Sequence, residues 1–338
     1  MTGRATIKSI ARDLGISHMT VSRALSGHAN VQKETREKIL RHAREIGYVK
    51  SIAATAMRGE SAPIIGLILP NIVNEFYARF ANRLALACEA AAVQLIIHLS
   101  GDRIEAEEQA LQRLTEVQAR AIMMVPAPGG APSHPRPQPG KTRIVQLIRR
   151  RDSGPQGPAI LVDDSPPIRR AVGLLHQRGH RRIAYVGTET TLSSGRERLA
   201  AFRQGRADVG LKDDDAMIRT GAPLWEVARE ATRSLIADGR ATAILCGGFE
   251  ISNGVLHALQ EANAQTIPMI GYGDPSYYRW LNGGISTIAI PVEKLAEIAA
   301  TMLLKSDEED DAVEVIALEA ELIMRGSLRD LSGPAGQG

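Results

Sequence analysis

The chain has 338 residues, 44% hydrophobic and 23% charged, a composition that excludes a disordered or fibrous polypeptide and allows two or three domains. The net charge of +3 hides an asymmetry: residues 1–60 hold 11 Lys and Arg against 5 Asp and Glu, and the remainder holds 30 against 33. Positive charge gathered on a small N-terminal part is the footprint expected of a surface that meets phosphate backbones. Cys88 and Cys246 lie far apart in apolar stretches, which argues against a disulfide framework and for free thiols in a reducing compartment. The opening MTGRATIKSIARD has no apolar export core, and no run approaches the roughly 18 uninterrupted apolar residues of a membrane span. The expected location is cytoplasmic.

In chain order, Ile7, Ile10, Ala11 and Leu14 share one helical face, with Thr6 placed to cap it. Gly15 suits a sharp turn. Ser17 then caps a second helix from His18 to about residue 26, with Val21, Ala24 and Leu25 inward and His18, Met19, Ser22 and Arg23 outward. A third helix is predicted over about 33–46, its apolar side formed by Ile39, Leu40, Ala43 and Ile46. Three helices in under fifty residues make a core small enough to present the second helix to a DNA major groove. Residues 50–59, KSIAATAMRG, are rich in alanine but only about two turns long, and an isolated helix of that length is marginal in water.

From residue 62 the pattern changes. Short apolar runs at 64–70, 93–100, 121–127 and 143–148 alternate with helical stretches reaching to about 92 and over 104–118. This alternation predicts a doubly wound α/β layer with buried parallel strands. PAPGGAPSHPRPQPG (126–140) reads as an exposed loop. A second alternating set is expected to begin at AILVDDS (159–165) and to continue through 179–187, 241–248, 266–274 and 284–290. The acidic run DEEDD (307–311) reads as a solvated loop before the last strands, and the tail after 328 lacks heptad leucines. No metal-ligand spacing, phosphate-cradling glycine loop or G-x-S-x-G elbow occurs, so neither an enzyme nor a cofactor is expected.

TIKSIARDLGISHMTVSRAL, followed by V-x-K-x-T-R-E-K-I and IGY, resembles the lactose-repressor (LacI) family of bacterial regulators. GHRRIAYVG and RLAAF (198–202) extend the resemblance into the body, over nearly the whole chain. It implies a small all-α helix-turn-helix head on an α/β two-lobed body like a periplasmic binding protein, with doubly wound parallel sheets and ligand between the lobes. The expected division is a head at 1–49, a hinge at 50–60, an effector-binding and dimerising body at 61–330 and a tail at 331–338. Lobe 1 is expected over about 61–158 and 291–314, and lobe 2 over about 159–290 and 315–330.

The resemblance also implies roles, residue by residue. His18, Met19 and Arg23 fall at base-reading positions; an Arg23–guanine pair is worth roughly 1–3 kcal/mol of discrimination. Thr6, Ser17, Thr20, Ser22 and Asn30 fall at phosphate-contacting positions. Met57 stands where a hinge leucine wedges into the minor groove, and Lys50 replaces a common proline. In the body, Phe76, Tyr77, Arg198 and Trp225 match effector-pocket positions, with Arg196 nearby. The departures are informative. Ile148 replaces the Asp of sugar-binding members, with Arg149 next; Gly248-Phe249 replaces Asn-Asp; Gly273 replaces the first Asp of G-[FY]-D-D, leaving Asp274. Loss of hydroxyl-holding groups with retention of arginines favours an anionic effector, such as gluconate or another small carboxylate. MTVSR and GYGD also resemble gluconate-type members. The expected protein is an effector-controlled repressor, a homodimer on a pseudo-palindromic operator. The competing reading is a transport solute-binding protein without DNA function.

Overall fold

The computed structural model describes residues 5–25, 30–48, 62–129, 142–151, 157–305 and 315–328. The hinge expectations at 50–59, including Met57 and Lys50, the loop at 130–140 and the tail lie outside the described residues. The chain divides between Ala62 and Pro63 into two compact units.

The first unit holds helices α1 (Ile7–Leu14), α2 (His18–Leu25) and α3 (Lys33–Glu45). Thr6 and Ser9 form a reciprocal capping box at the start of α1: Ser9 N–H donates to Thr6 Oγ1 at 3.2 Å and Thr6 N–H to Ser9 Oγ at 2.8 Å. Gly15 ends α1 at φ +66°, a left-handed conformation that a Cβ would strain. Ser17 Oγ accepts from Thr20 N–H at 3.0 Å, which starts α2. Ile10, Val21, Ala24, Ile39 and Ala43 close a small core, with Ile7, Leu14, Leu25 and Tyr48 packed around it.

The second unit holds two six-stranded sheets. In chain order its elements are β1 (Ala62–Leu69), α4 (Glu75–Ala90), β2 (Gln94–Leu99), α5 (Ile104–Glu116), β3 (Ala119–Met124), β4 (Arg143–Leu147), β5 (Ala159–Asp163), α6 (Ser165–Gln177), β6 (Ile183–Thr188), α7 (Ser193–Asp208), β7 (Ile218–Gly221), α8 (Trp225–Ala237), β8 (Ala243–Gly247), α9 (Phe249–Glu261), β9 (Met269–Tyr272), β10 (Thr287–Ala289), α10 (Val292–Leu304), β11 (Val315–Glu319) and β12 (Glu321–Ile323). The first sheet runs β11-β5-β4-β3-β1-β2 and the second β12-β10-β9-β8-β6-β7. The β1–β2, β3–β4, β4–β5 and β5–β11 pairings are parallel, while β12 runs antiparallel to β10. Strand β1 is buried from Ile64 to Leu69 and β6 throughout, as expected of parallel strands covered on both faces.

The lobe boundaries differ from the sequence expectation. The run at 159–163 does not open the second lobe. It pairs with β4 on one side and β11 on the other, so both β5 and β11 complete the first sheet. Strand β7, which the apolar pattern does not reveal, lies at the edge of the second sheet. The reason is physical: an apolar run specifies a strand, but its sheet is chosen by long-range pairing. The chain therefore passes between the sheets after β5, after β10 and after β11. Ala320 N–H donates to Asp163 O at 3.1 Å, tying two of these crossings together.

Candidate functional sites in the head and the cleft

In the head, His18, Met19 and Arg23 are exposed, Met19 by 54%, while Ser22 is half-buried beside them. At helical spacing these four residues occupy one outward face of α2, opposite Val21 and Ala24. Thr6, Ser17 and Asn30 are exposed and Thr20 is half-buried. Thr6 and Ser17 are also occupied as helix caps, which fixes the ends of the helices they would align on a phosphate backbone.

In the body, the ends of β1, β4, β6, β8 and β9 open on a common cavity of about 610 Å³ including its mouth. Ligands in open α/β sheets bind at such carboxyl ends. Arg149 and Arg198 both line it, and both are more than nine-tenths buried. Arg149 Nη1 donates to Asp102 Oδ1 at 2.5 Å. Arg198 Nε donates to Asp164 Oδ2 at 2.5 Å and its Nη1 to Gly247 O at 3.3 Å, with the guanidinium carbon 4.1 Å from the centre of the Tyr272 ring. Tyr272 OH donates to Asp164 Oδ1 at 2.7 Å, so the residue at the first inter-sheet crossing holds Arg198 and Tyr272 together. Burial works against the charge on Arg198, but the Asp164 carboxylate together with Tyr272 and Tyr185 offsets it and holds the guanidinium above its ordinary range. Arg149 behaves alike: burial opposes its charge, and Tyr77 and Asp102 hold it up. Among the described residues, Nη2 of Arg198 and Nε and Nη2 of Arg149 have no hydrogen-bond partner.

Three helices begin at this cavity. Asn74 caps α4 by accepting from Phe76 N–H at 3.0 Å. The N-cap positions of α7 and α9, Leu192 and Gly248, supply no side-chain cap. Their first-turn N–H groups and positive dipole ends remain available to an acceptor. Thr188 also lines the cavity. It is 5% exposed, and its Oγ1 has no partner among the described residues. Ile148, another lining residue, has φ +65°, a genuine outlier for a β-branched side chain and a conformation that marks functional sites.

Of the residues the sequence nominates, Phe76, Tyr77, Arg149, Arg198, Gly248 and Phe249 share this cavity. Three do not. Trp225 starts α8 outside the lining, its ring centred 5.4 Å from that of His257. Arg196 is exposed and donates to Thr190 O at 3.0 Å; lying two residues from Arg198, it falls on the opposite side of α7 and away from the cleft. Asp274 lies in a smaller neighbouring cavity, paired with Arg325 at 2.7 Å, a partner 51 residues away that spacing does not reveal. Sequence reasoning missed Asp102, Thr188, Glu250 and Tyr272. Their strand-end positions are the only signal that points to them.

Behind the cleft, Glu107 on α5 is fully buried, accepts from Ala127 N–H at 2.6 Å and pairs with Arg151. Burial, opposed by those bonds, pushes its carboxyl above the ordinary glutamate range. A raised folded-state pKa gives a contribution that is full below the unfolded value and fades as pH rises through the folded one. The stability of the native chain relative to Glu107→Gln should therefore decline as pH rises from the ordinary carboxylate range, as read from urea midpoints between about pH 4 and 7.

Among the described residues, no helix is long and apolar enough to cross a membrane, and no group of three His, Cys, Asp or Glu is arranged to hold a metal. A three-helix head with an exposed α2 face, and a body of two sheets whose strand ends share a cavity lined by two buried arginines, have the architecture of a DNA-binding regulator. Residues 6–51 match the model of bacterial regulatory proteins of the lacI family, and residues 172–328 match the periplasmic binding protein-like domain. The HTH-type transcriptional regulator RegA of Clostridium saccharobutylicum is 24% identical over 95% of this chain and 98% of its own. The lac repressor dimer bound to operator and the anti-inducer ONPF superposes with a TM-score of 0.80 at 18% identity, covering 96% of this chain and 99% of that one. The transcriptional regulator CelR in complex with cellobiose superposes at 0.69 and 21% identity, covering 96% and 100%. The chain belongs to the LacI family of DNA-binding transcriptional regulators.

Proposed function

We propose that this regulator represses from a pseudo-palindromic operator as a homodimer, and that a small anionic effector in the cleft, such as a sugar acid, changes its operator affinity. The observation that carries the effector reading is the presence of Arg149 and Arg198 in one cavity, each with N–H groups still uncommitted. The uncapped starts of α7 and α9 add positive potential at the same place. Phe76 and Phe249 supply apolar faces for a carbon skeleton, and Thr188 Oγ1 a polar contact. The effector would favour one setting of the two lobes, and the coupling to DNA would be reciprocal.

A second reading rests on Asp102 and Asp164. They already balance the two guanidiniums, which suits a neutral sugar gripped by its hydroxyls. Isothermal titration with gluconate, other sugar acids and neutral sugars separates the two. Tight binding of a neutral sugar with no response to acids overturns the anionic reading.

On the DNA side, the outward face of α2 supports base reading by His18, Met19 and Arg23, with Thr6, Ser17, Thr20, Ser22 and Asn30 as backbone contacts. Arg23→Ala should weaken specific operator binding by about 5- to 150-fold per half-site, equivalent to about 1–3 kcal/mol, and relax preference at one base pair in each half-site. Non-specific retention at low salt should change little. A gel-shift titration against single-base operator variants reads both. Dimerisation is supported by the edge strand β2, where Ile97 and Leu99 are exposed, and by the exposed Leu86 of α4. Leu99→Asp is expected to shift the sedimentation coefficient toward the monomer; unchanged sedimentation would place the interface elsewhere.

A further inference from the structure

One carboxylate in the cleft has no task in the scheme above. Glu250, in the first turn of α9, lines the same cavity as Arg149 and Arg198. Its only hydrogen bond among the described residues is a long one, 3.4 Å from Asn253 Nδ2, and it has no cationic partner there. The arginines do not need it, because Asp102 and Asp164 already hold them at 2.5 Å. The surroundings do not neutralise it either. Glu226 adds like charge nearby, and the Asn253 amide oxygen is engaged by Tyr277 OH. Half-burial pushes its carboxyl above the ordinary range, the direction expected of an acid that lacks a counter-charge. Placement at a helix N-terminus makes a carboxylate tolerable, but does not require one that faces a ligand cavity.

A purely anionic ligand would meet Glu250 as a like charge. A ligand bearing an ammonium as well as a carboxylate would complement both the uncommitted guanidinium N–H groups and the unpaired carboxylate: acid to Arg149 and Arg198, amine to Glu250. We propose that the effector is amphoteric, a small hydroxylated amino acid or amino-sugar acid, and that Glu250 is the residue that selects its amine. The inference rests on the anionic reading of the cleft and deepens it.

Titration calorimetry of the full-length protein with D-glucosaminate, D-gluconate, D-glucosamine and D-glucose tests it. D-Glucosaminate is expected to bind at least tenfold more tightly than D-gluconate. Glu250→Gln, checked for folding by circular dichroism, should erase that advantage and leave D-gluconate binding as well as or better than before. A purely structural Glu250 would lower affinity for both acids alike. Failure of the amine-bearing compounds to outbind their amine-free counterparts in the native protein overturns the proposal. If D-gluconate then still binds more tightly than D-glucose, the anionic reading survives it; if D-glucose binds and neither acid does, both fall.

Discussion

Replacing Arg198 with methionine is expected to destabilise the body by about 3–5 kcal/mol and to abolish effector binding. The stability loss follows from what remains. Asp164 is 7% exposed, and without the guanidinium it becomes a buried carboxylate whose remaining side-chain partner among the described residues is the Tyr272 hydroxyl. Removing one partner of a buried pair costs about this much because the other charge is left uncompensated. The binding loss follows from the cavity: Arg198 brings to it an N–H group without a protein partner, on a guanidinium stacked at 4.1 Å over Tyr272. The double variant Arg198→Met with Asp164→Asn separates the two effects. Neutralising both partners should restore most of the stability, read from urea denaturation, while effector binding stays lost. Restored binding in the double variant would show that Arg198 only compensates Asp164.

The second large effect is expected from Gly254→Val in the middle of α9. A Cβ there would lie 2.2 Å from the Trp225 carbonyl oxygen and 2.7 Å from both Ala228 Cβ and Arg229 N. Two of those neighbours are backbone atoms, so α8 and α9 must separate. The expected cost is about 3 kcal/mol, the upper end for overpacking. Because α9 begins with Phe249 and Glu250 in the cleft, effector affinity should fall as well. Gly173 in α6 is the control. A Cβ there meets nothing within 4 Å, so Gly173→Ala should stabilise by up to about 1 kcal/mol through helix propensity alone. Equal effects at the two glycines would mean that the α8–α9 contact is not tight in solution.

The head was the most legible part of the chain because its structure is local. Thr6 to Ser9, Ser17 to Thr20 and the turn at Gly15 are contacts within a few residues, and the periodicity that buries Val21 and Ala24 also turns His18, Met19 and Arg23 outward. The cleft was legible only in part. Strand ends could be read from apolar runs, while Phe76, Arg149, Arg198 and Phe249, which share one cavity, are nominated through the family resemblance. Partners could not: Arg149 with Asp102, Arg198 with Asp164 and Asp274 with Arg325 are 47, 34 and 51 residues apart.

The amino-acid sequence by itself determined a helix-turn-helix head and an alternating α/β body, since these depend on short-range periodicity, whereas Arg149 and Arg198 are nominated for the cleft only through the family resemblance. Tertiary structure alone decided that β5 and β11 belong to the first sheet, that Trp225, Arg196 and Asp274 stay out of the main cavity, and that each cleft arginine faces a carboxylate. Pairing between distant strands and ion pairs across the fold are set by where the backbone packs, and no local pattern encodes that.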